Sequence, residues 1–110
     1  MRGAGMLADV AVPKNPKSCV PLLKALADDT RWRIVRELLR NDRTVGDLGK
    51  VLKVSQYNVS KHLRILREAG IVETERAGKH IHCQVAESFR KQLSTRRKLL
   101  DLGCCTFNFE

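Results

Sequence analysis

The chain has no apolar run approaching the roughly 18 residues that a membrane-spanning helix needs, so no membrane partner is expected. It is short of acidic residues: 12 Asp and Glu stand against 21 Lys and Arg, a formal net charge of +9 at pH 7. It has no internal repeat and no low-complexity tract. No glycine-rich phosphate loop, nucleophile elbow or paired-carboxylate constellation is evident, which argues against a catalyst. A dithiol reductase would want a Cys-x-x-Cys spacing, and that is missing too. The opening stretch "MRGAGMLADVAVPKNPK" carries Asp9, Pro13 and Pro16 and no long apolar core. It does not read as a secretory signal, and residues 1–16 read as a flexible arm. Four cysteines are present, Cys19, Cys83, Cys104 and Cys105. Neither their spacing nor the N-terminus implies a disulfide framework, so reduced thiols in a cytoplasmic protein are expected.

What is present fits one globular domain of 110 residues, with 43% hydrophobic and 30% charged side chains. The basic excess favours a polyanionic partner, most simply nucleic acid. A merely soluble basic protein would show the same charge, so the decision rests on pattern.

Read along the chain, the middle is helical. Ser18 can cap a helix carrying Val20, Leu22, Leu23 and Leu26, with Pro21 tolerable in its first turn. Asp28-Asp29-Thr30 supplies caps for a second helix, where Trp32, Ile34, Val35, Leu38 and Leu39 make a wide apolar stripe. Thr44 caps a short helix containing Val45, Leu48, Val51 and Leu52. Lys53-Val54 makes a tight turn, Ser55 caps a fourth helix, and Gly70 stops it. The period then changes to two. Val72 to Arg76 and His80 to Val85 read as strands joined by Ala77-Gly78-Lys79, with Ile81, Cys83 and Val85 on the inner face. A last helix is expected from Ala86 to about Leu102, with Phe89, Leu93 and Leu100 as its contacts. Phe107 and Phe109 alternate in an extended tail. The fold class is therefore mainly α with a small β-hairpin, a winged helix-turn-helix. Its first and last helices have apolar faces to spare for a second subunit. The division is an arm over 1–16, a DNA-binding and dimerisation domain over 17–102, and a cysteine-containing tail over 103–110.

On the fourth helix, Val59 centres the buried stripe at 100° per residue, with Leu63 and Leu66 beside it. Tyr57, Lys61, Arg64 and Glu68 then point away, with Asn58 and Ser60 on the flanks. Gln56 and Tyr57 occupy the first turn, where a recognition helix meets base edges. Gln and Asn can pair with adenine, Lys can reach guanine, and Ser can serve either. Arg64 suits phosphate. Arg76, Lys79 and His80 place positive charge around the hairpin tip. A solvated amphipathic face would carry similar residues. The coincidence of a short helix, a tight turn, a polar-tipped helix and a basic hairpin favours DNA.

The segments "LLKALADDTRWRIVREL", "TVGDLGKVLKVSQYNVSKHLRILREAGIV" and "ERAGKHIHCQV" together resemble the ArsR/SmtB family of bacterial repressors, over roughly Cys19 to Val85. The resemblance implies a homodimer built on the first and last helices. It also implies a double-stranded DNA operator with two-fold symmetry, and a repressor released by a thiophilic or transition metal ion. The family's Cys-Val-Cys metalloid site reads Thr44-Val45-Gly46 here, and its Asp-x-His zinc site reads Val85-Ala86-Glu87-Ser88 with no histidine after His82. Both sites are missing.

What remains is Cys104-Cys105 with Cys19 at the first helix, a soft set suited to trivalent arsenic or antimony. No obligatory cofactor is expected. A redox- or sulfide-responsive repressor using the same thiols stays open, as does a non-sensing winged-helix module that binds DNA or protein. Cys83 reads as core, His80 and His82 as outer wing residues, and His62 as a packing or hydrogen-bonding residue.

Overall fold

The computed structural model describes residues 19–91, 93–94, 99–101 and 106–108, with side chains over 20–91. Helix α1 (Cys19–Leu26) buries Ala25 and Leu26. Helix α2 (Asp29–Arg40) starts where Asp28 Oδ2 accepts the Arg31 backbone N–H at 3.0 Å, one of the orphan donors of a helix start. Ile34, Val35 and Leu38 fall on one face at helical spacing and are fully buried. Trp32 and Leu39 pack partly buried against the same core.

A two-residue strand, β1 (Arg43–Thr44), follows. Thr44 then caps α3 (Val45–Leu52), its Oγ1 accepting from Asp47 N–H at 3.0 Å. Lys53 adopts φ 58° and ψ 46°, the left-handed conformation that ends a helix, and Val54 N–H returns to the Gly49 carbonyl at 3.0 Å. The guanidinium of Arg33 donates to the Leu52 carbonyl at 3.1 Å, satisfying another helix-end acceptor. Helix α4 (Gln56–Glu68) begins at Ser55, whose Oγ accepts from Asn58 N–H at 3.2 Å.

Gly70 (φ 79°) closes α4 with paired bonds from Gly70 N–H to Arg67 O at 3.0 Å and from Ile71 N–H to Leu66 O at 2.9 Å. That is a Schellman motif, and its geometry favours glycine. Strands β2 (Val72–Ala77) and β3 (His80–Val85) pair antiparallel, with Ala77 opposite His80. Gly78 at φ 63° and Lys79 at negative φ form the two-residue turn, the φ pattern of type II′. Inward Cys83 and Val85 are buried while His80, His82 and Gln84 are exposed, as the alternation predicts. The core joins α1 to α4, the sheet and Phe89.

Two elements differ from the sequence reading. Strand β1 extends the hairpin to three strands in the order β1-β3-β2, with Arg43 opposite Cys83 and Thr44 opposite His82. The last helix is a single turn, α5 (Glu87–Arg90), rather than one running to about Leu102. Beyond it lie β4 (Leu93–Ser94), β5 (Leu99–Asp101) and β6 (Thr106–Asn108), a separate antiparallel sheet in which Leu93 faces Leu100 and Leu100 faces Phe107. Of the three expected contacts, Phe89 is buried in the core, and the side chains of Leu93 and Leu100 lie outside the described ones. The polar run Ser94 to Lys98 interrupts any apolar stripe, and Leu93 with Leu100 fits a strand pair as well as a helix face. Among the described residues no long helix follows Arg90. The expected arm over 1–16, the Ser18 cap, Cys104, Cys105 and Phe109 lie outside the described residues.

Candidate nucleic-acid interface

Every sequence-selected residue of α4 is exposed: Gln56, Tyr57, Asn58, Ser60, Lys61 and Arg64. Their opposite face carries Val59, Leu63 and Leu66, each 2% exposed or less, and these lock the helix to the core. The Lys61 ammonium lies 5.5 Å from the Tyr57 ring centroid, a cation–π distance that steadies two otherwise free side chains. Arg64 Nε donates to Glu68 Oε2 at 3.2 Å. Both partners are largely solvent-exposed, so this pair contributes at most about 0.5 kcal/mol and yields readily to a phosphate.

The helix and the wing meet across an open concavity of about 420 Å³, lined by Gln56 and Ser60 from α4, Lys79 and His80 from the hairpin tip, and Thr44, Asp47 and Lys50 from the α3 side. Four of the nine sequence-selected DNA residues thus share one opening. Tyr57, Asn58, Lys61 and Arg64 continue the exposed surface along α4, and Arg76 stands exposed on β2 beside the tip. Lys50 is an addition that the sequence reading missed. It lies on the preceding helix, and only the folding of α3 against α4 brings it here.

His82 belongs to a different surface. It lines a hollow with Asp42, Glu73 and Glu75, and Gln84 Nε2 donates to Glu73 Oε1 at 3.3 Å within that hollow. The carboxylates would repel a phosphate backbone, whereas the hairpin tip carries Lys79 and His80. His62 is hydrogen-bonded, as expected: its Nδ1 is 3.1 Å from Arg31 Nη1 and 3.8 Å from Asp28 Oδ2. The backbone N–H of Arg31, with the Arg31 guanidinium and His62 nearby, holds the Asp28 carboxyl below its ordinary value against the opposing effect of burial.

Among the described residues no group of three or more His, Cys, Asp or Glu side chains is arranged to hold a metal ion. Of the three cysteines selected as metal ligands, Cys104 and Cys105 lie outside the described residues, and Cys19 opens α1 with its side chain outside them. Cys83 is fully buried, with Sγ 3.8 Å from the Ile81 carbonyl. Burial pushes its thiol from 9.0 up to about 11, with Arg67 pulling weakly the other way. The neutral thiol is no ligand, since metals and electrophiles take the thiolate. The folded state holds the Cys83 proton more tightly than the unfolded state, so its share of stability is complete below pH 9.0 and lost as pH rises to about 11. Urea midpoints are expected to fall over that window more in the parent than in Cys83→Ala. Native Cys83 is also expected to resist Ellman's reagent until the chain unfolds.

A short helix, a left-handed turn, a polar-tipped helix packed on a core and a basic wing together define a winged helix-turn-helix protein. A family profile described as "Bacterial regulatory protein, arsR family" matches residues 28–74. The probable mercury resistance operon repressor of Streptomyces lividans is 33% identical, over 94% of this chain and 88% of that protein. HlyU from Vibrio cholerae N16961 superposes with a TM-score of 0.65 at 36% identity, covering 69% of this chain and 83% of that one. A homodimeric winged helix-turn-helix DNA-binding domain from Mycobacterium bovis gives 0.62 at 25% identity, covering 66% of this chain and 67% of that one. The chain belongs to the ArsR family of bacterial transcriptional regulators.

Proposed function

We propose that this protein is a cytoplasmic homodimeric repressor that grips a two-fold-symmetric operator with two copies of α4 and is released by a thiophilic ion. The observation that carries the DNA part is the continuous exposed surface from Gln56 to Arg64, joined to Lys79 and His80 across one concavity. In this reading Gln56, Tyr57, Asn58, Ser60 and Lys61 face base edges. Arg64, Arg76, Lys79 and His80 hold the backbone. With α5 a single turn, dimerisation falls to α1, where Val20 is 48% exposed, and to the chain beyond Arg90. The homodimeric state of the Mycobacterium bovis domain supports the pairing.

The experiment is a binding titration against duplexes selected from a random pool, at several salt concentrations. A repressor of this kind loses affinity steeply with salt yet keeps a preference of about a thousandfold or more over random DNA. Equal affinity for random DNA would reject sequence-specific repression.

The inducer reading assigns trivalent arsenic or antimony to Cys104, Cys105 and Cys19. Three thiols replace three hydroxides on arsenite, and each sulfur's proton leaves in a water molecule. Thiolates select soft ions in general. Similarity to a mercury resistance operon repressor over nearly the whole chain gives Hg(II) a place in the same trial. The inducer must bind the free form more tightly than the DNA-bound form. Arsenite, antimonite or Hg(II) is expected to release labelled operator from the parent. The Cys104→Ser/Cys105→Ser variant is expected to stay bound at about tenfold higher inducer. Release at unchanged inducer concentration would remove the pair as the sensor.

A further inference from the structure

Arg31 and His62 stand 31 positions apart in sequence, and between them they tie three helices together. Arg31 Nε donates to the Ala25 carbonyl at 2.6 Å and Nη2 to the Lys24 carbonyl at 3.4 Å. Both acceptors are at the C-terminal end of α1, where helix carbonyls are short of partners, and Lys24 O also accepts the Ala27 N–H at 3.3 Å. The remaining nitrogen, Nη1, reaches His62 Nδ1 on the recognition helix at 3.1 Å. A guanidinium only donates and keeps its charge throughout the accessible pH range. The hydrogen-bond pattern therefore makes His62 Nδ1 an acceptor, which requires a neutral ring with its proton on Nε2.

We propose that Arg31 and His62 are positioning residues for operator recognition: the neutral imidazole, held by Arg31, sets the pose of α4 against α1 and α2, and a proton on Nδ1 releases it. The proposal rests on the DNA-binding reading of α4. His62 follows Ser60 and Lys61 directly and precedes the buried Leu63. Any displacement of its ring is thus carried to the residues that face the bases. Protonation turns the acceptor into a donor and sets two cations against each other at hydrogen-bonding distance. Asp28, 3.8 Å from the same nitrogen, then becomes the ring's partner, and the link from α4 to Arg31 is lost.

The charged groups facing the ring are few. Arg31 and Asp28 come from α2 and its cap. From α1 come the two backbone carbonyls held by Arg31, while the Lys24 side chain is exposed. On α4 itself Lys61 is exposed and its ammonium lies over the Tyr57 ring.

The chain has three histidines, so a His80→Gln/His82→Gln background leaves His62 as the only one. In that background, operator affinity is expected to fall about fivefold or more between about pH 7.5 and the lower pH at which nitrogen NMR shows the His62 ring protonated. Adding His62→Asn keeps an acceptor near the Nδ1 position but removes the titration. It is expected to bind within about threefold of its parent at the higher pH and to show a flat profile. A structural role alone would not separate the two profiles. Equal pH slopes with and without His62→Asn would overturn the proposal.

Nitrogen NMR of the free protein tests the same point with no DNA present. Nδ1 bare and Nε2 protonated at about pH 7.5 is the expected result, and a proton on Nδ1 there would overturn the proposal. Absence of operator binding by the parent protein, all three histidines in place, at the higher pH and with the expected tautomer seen, would instead overturn the DNA-binding reading of α4.

Discussion

A chain carrying Gln56→Ala, Ser60→Ala and Lys61→Ala together is expected to fold normally and to lose almost all preference for its operator over random duplex. All three side chains are exposed, so their removal leaves no core gap. Each side chain that pairs well with a base edge contributes about 1–3 kcal/mol of discrimination, so losing three costs roughly a hundredfold or more in specificity. The single changes separate the roles. Gln56→Ala or Ser60→Ala relaxes base preference at one position, whereas Lys61→Ala also weakens binding overall. Competition between selected and random duplexes measures the preference, and a thermal melt checks the fold. An operator preference that survived all three substitutions would mean that another element enters the groove.

The second large effect concerns two glycines of α3. A Cβ added at Gly46 meets nothing closer than the Gln56 amide nitrogen at 3.6 Å, an ordinary contact. A Cβ added at Gly49 would lie 2.9 Å from the Val54 backbone carbonyl and 3.6 Å from Gln56 Cγ. Alanine is preferred over glycine in a helix interior by about 1 kcal/mol. Gly46→Ala, in the first turn, is therefore expected to be neutral or mildly stabilising. At Gly49 the same gain is set against pushing the turn and α4 away from α3, an overpacking cost of about 1–3 kcal/mol. The carbonyl belongs to the turn backbone and cannot swing aside as a side-chain tip would. Gly49→Ala is expected to lose about 1 kcal/mol net, lowering the melting temperature by about 4–8 °C, and to weaken operator binding because Gln56 moves with the turn. A melt of Gly49→Ala equal to that of Gly46→Ala would refute the close approach.

What could be read from the sequence was local. Thr44, Ser55 and Gly70 each mark a helix boundary through bonds to residues a few positions away, and all three act as expected. The exposed face of α4 followed from one angle per residue. Strand β1 could not be read that way. It is two residues long, and its partners Cys83 and His82 come from the far end of the domain. The end of the last helix failed for a different reason: widely spaced Leu93 and Leu100 satisfy helix and strand patterns alike, and they face each other across β4 and β5. At the site, exposure was legible and convergence was not. Lys50 joins Gln56 and Lys79 only because three elements fold to one opening. Arg31 reads as one more helix-surface cation until the folded chain sets it against His62.

The junction after α4 leaves little slack. Ile71 N–H is held by Leu66 O at 2.9 Å, Ala86 N–H by Ile71 O at 2.8 Å, and Val72 is buried one residue into the strand. Helix α4 and the wing are thus joined by hydrogen bonds and burial into one tool. In the proposed dimer, where two such tools share a duplex, a signal acts through the spacing and tilt at which they are mounted. Control then resembles adjusting the jaws of a caliper rather than reshaping its tips.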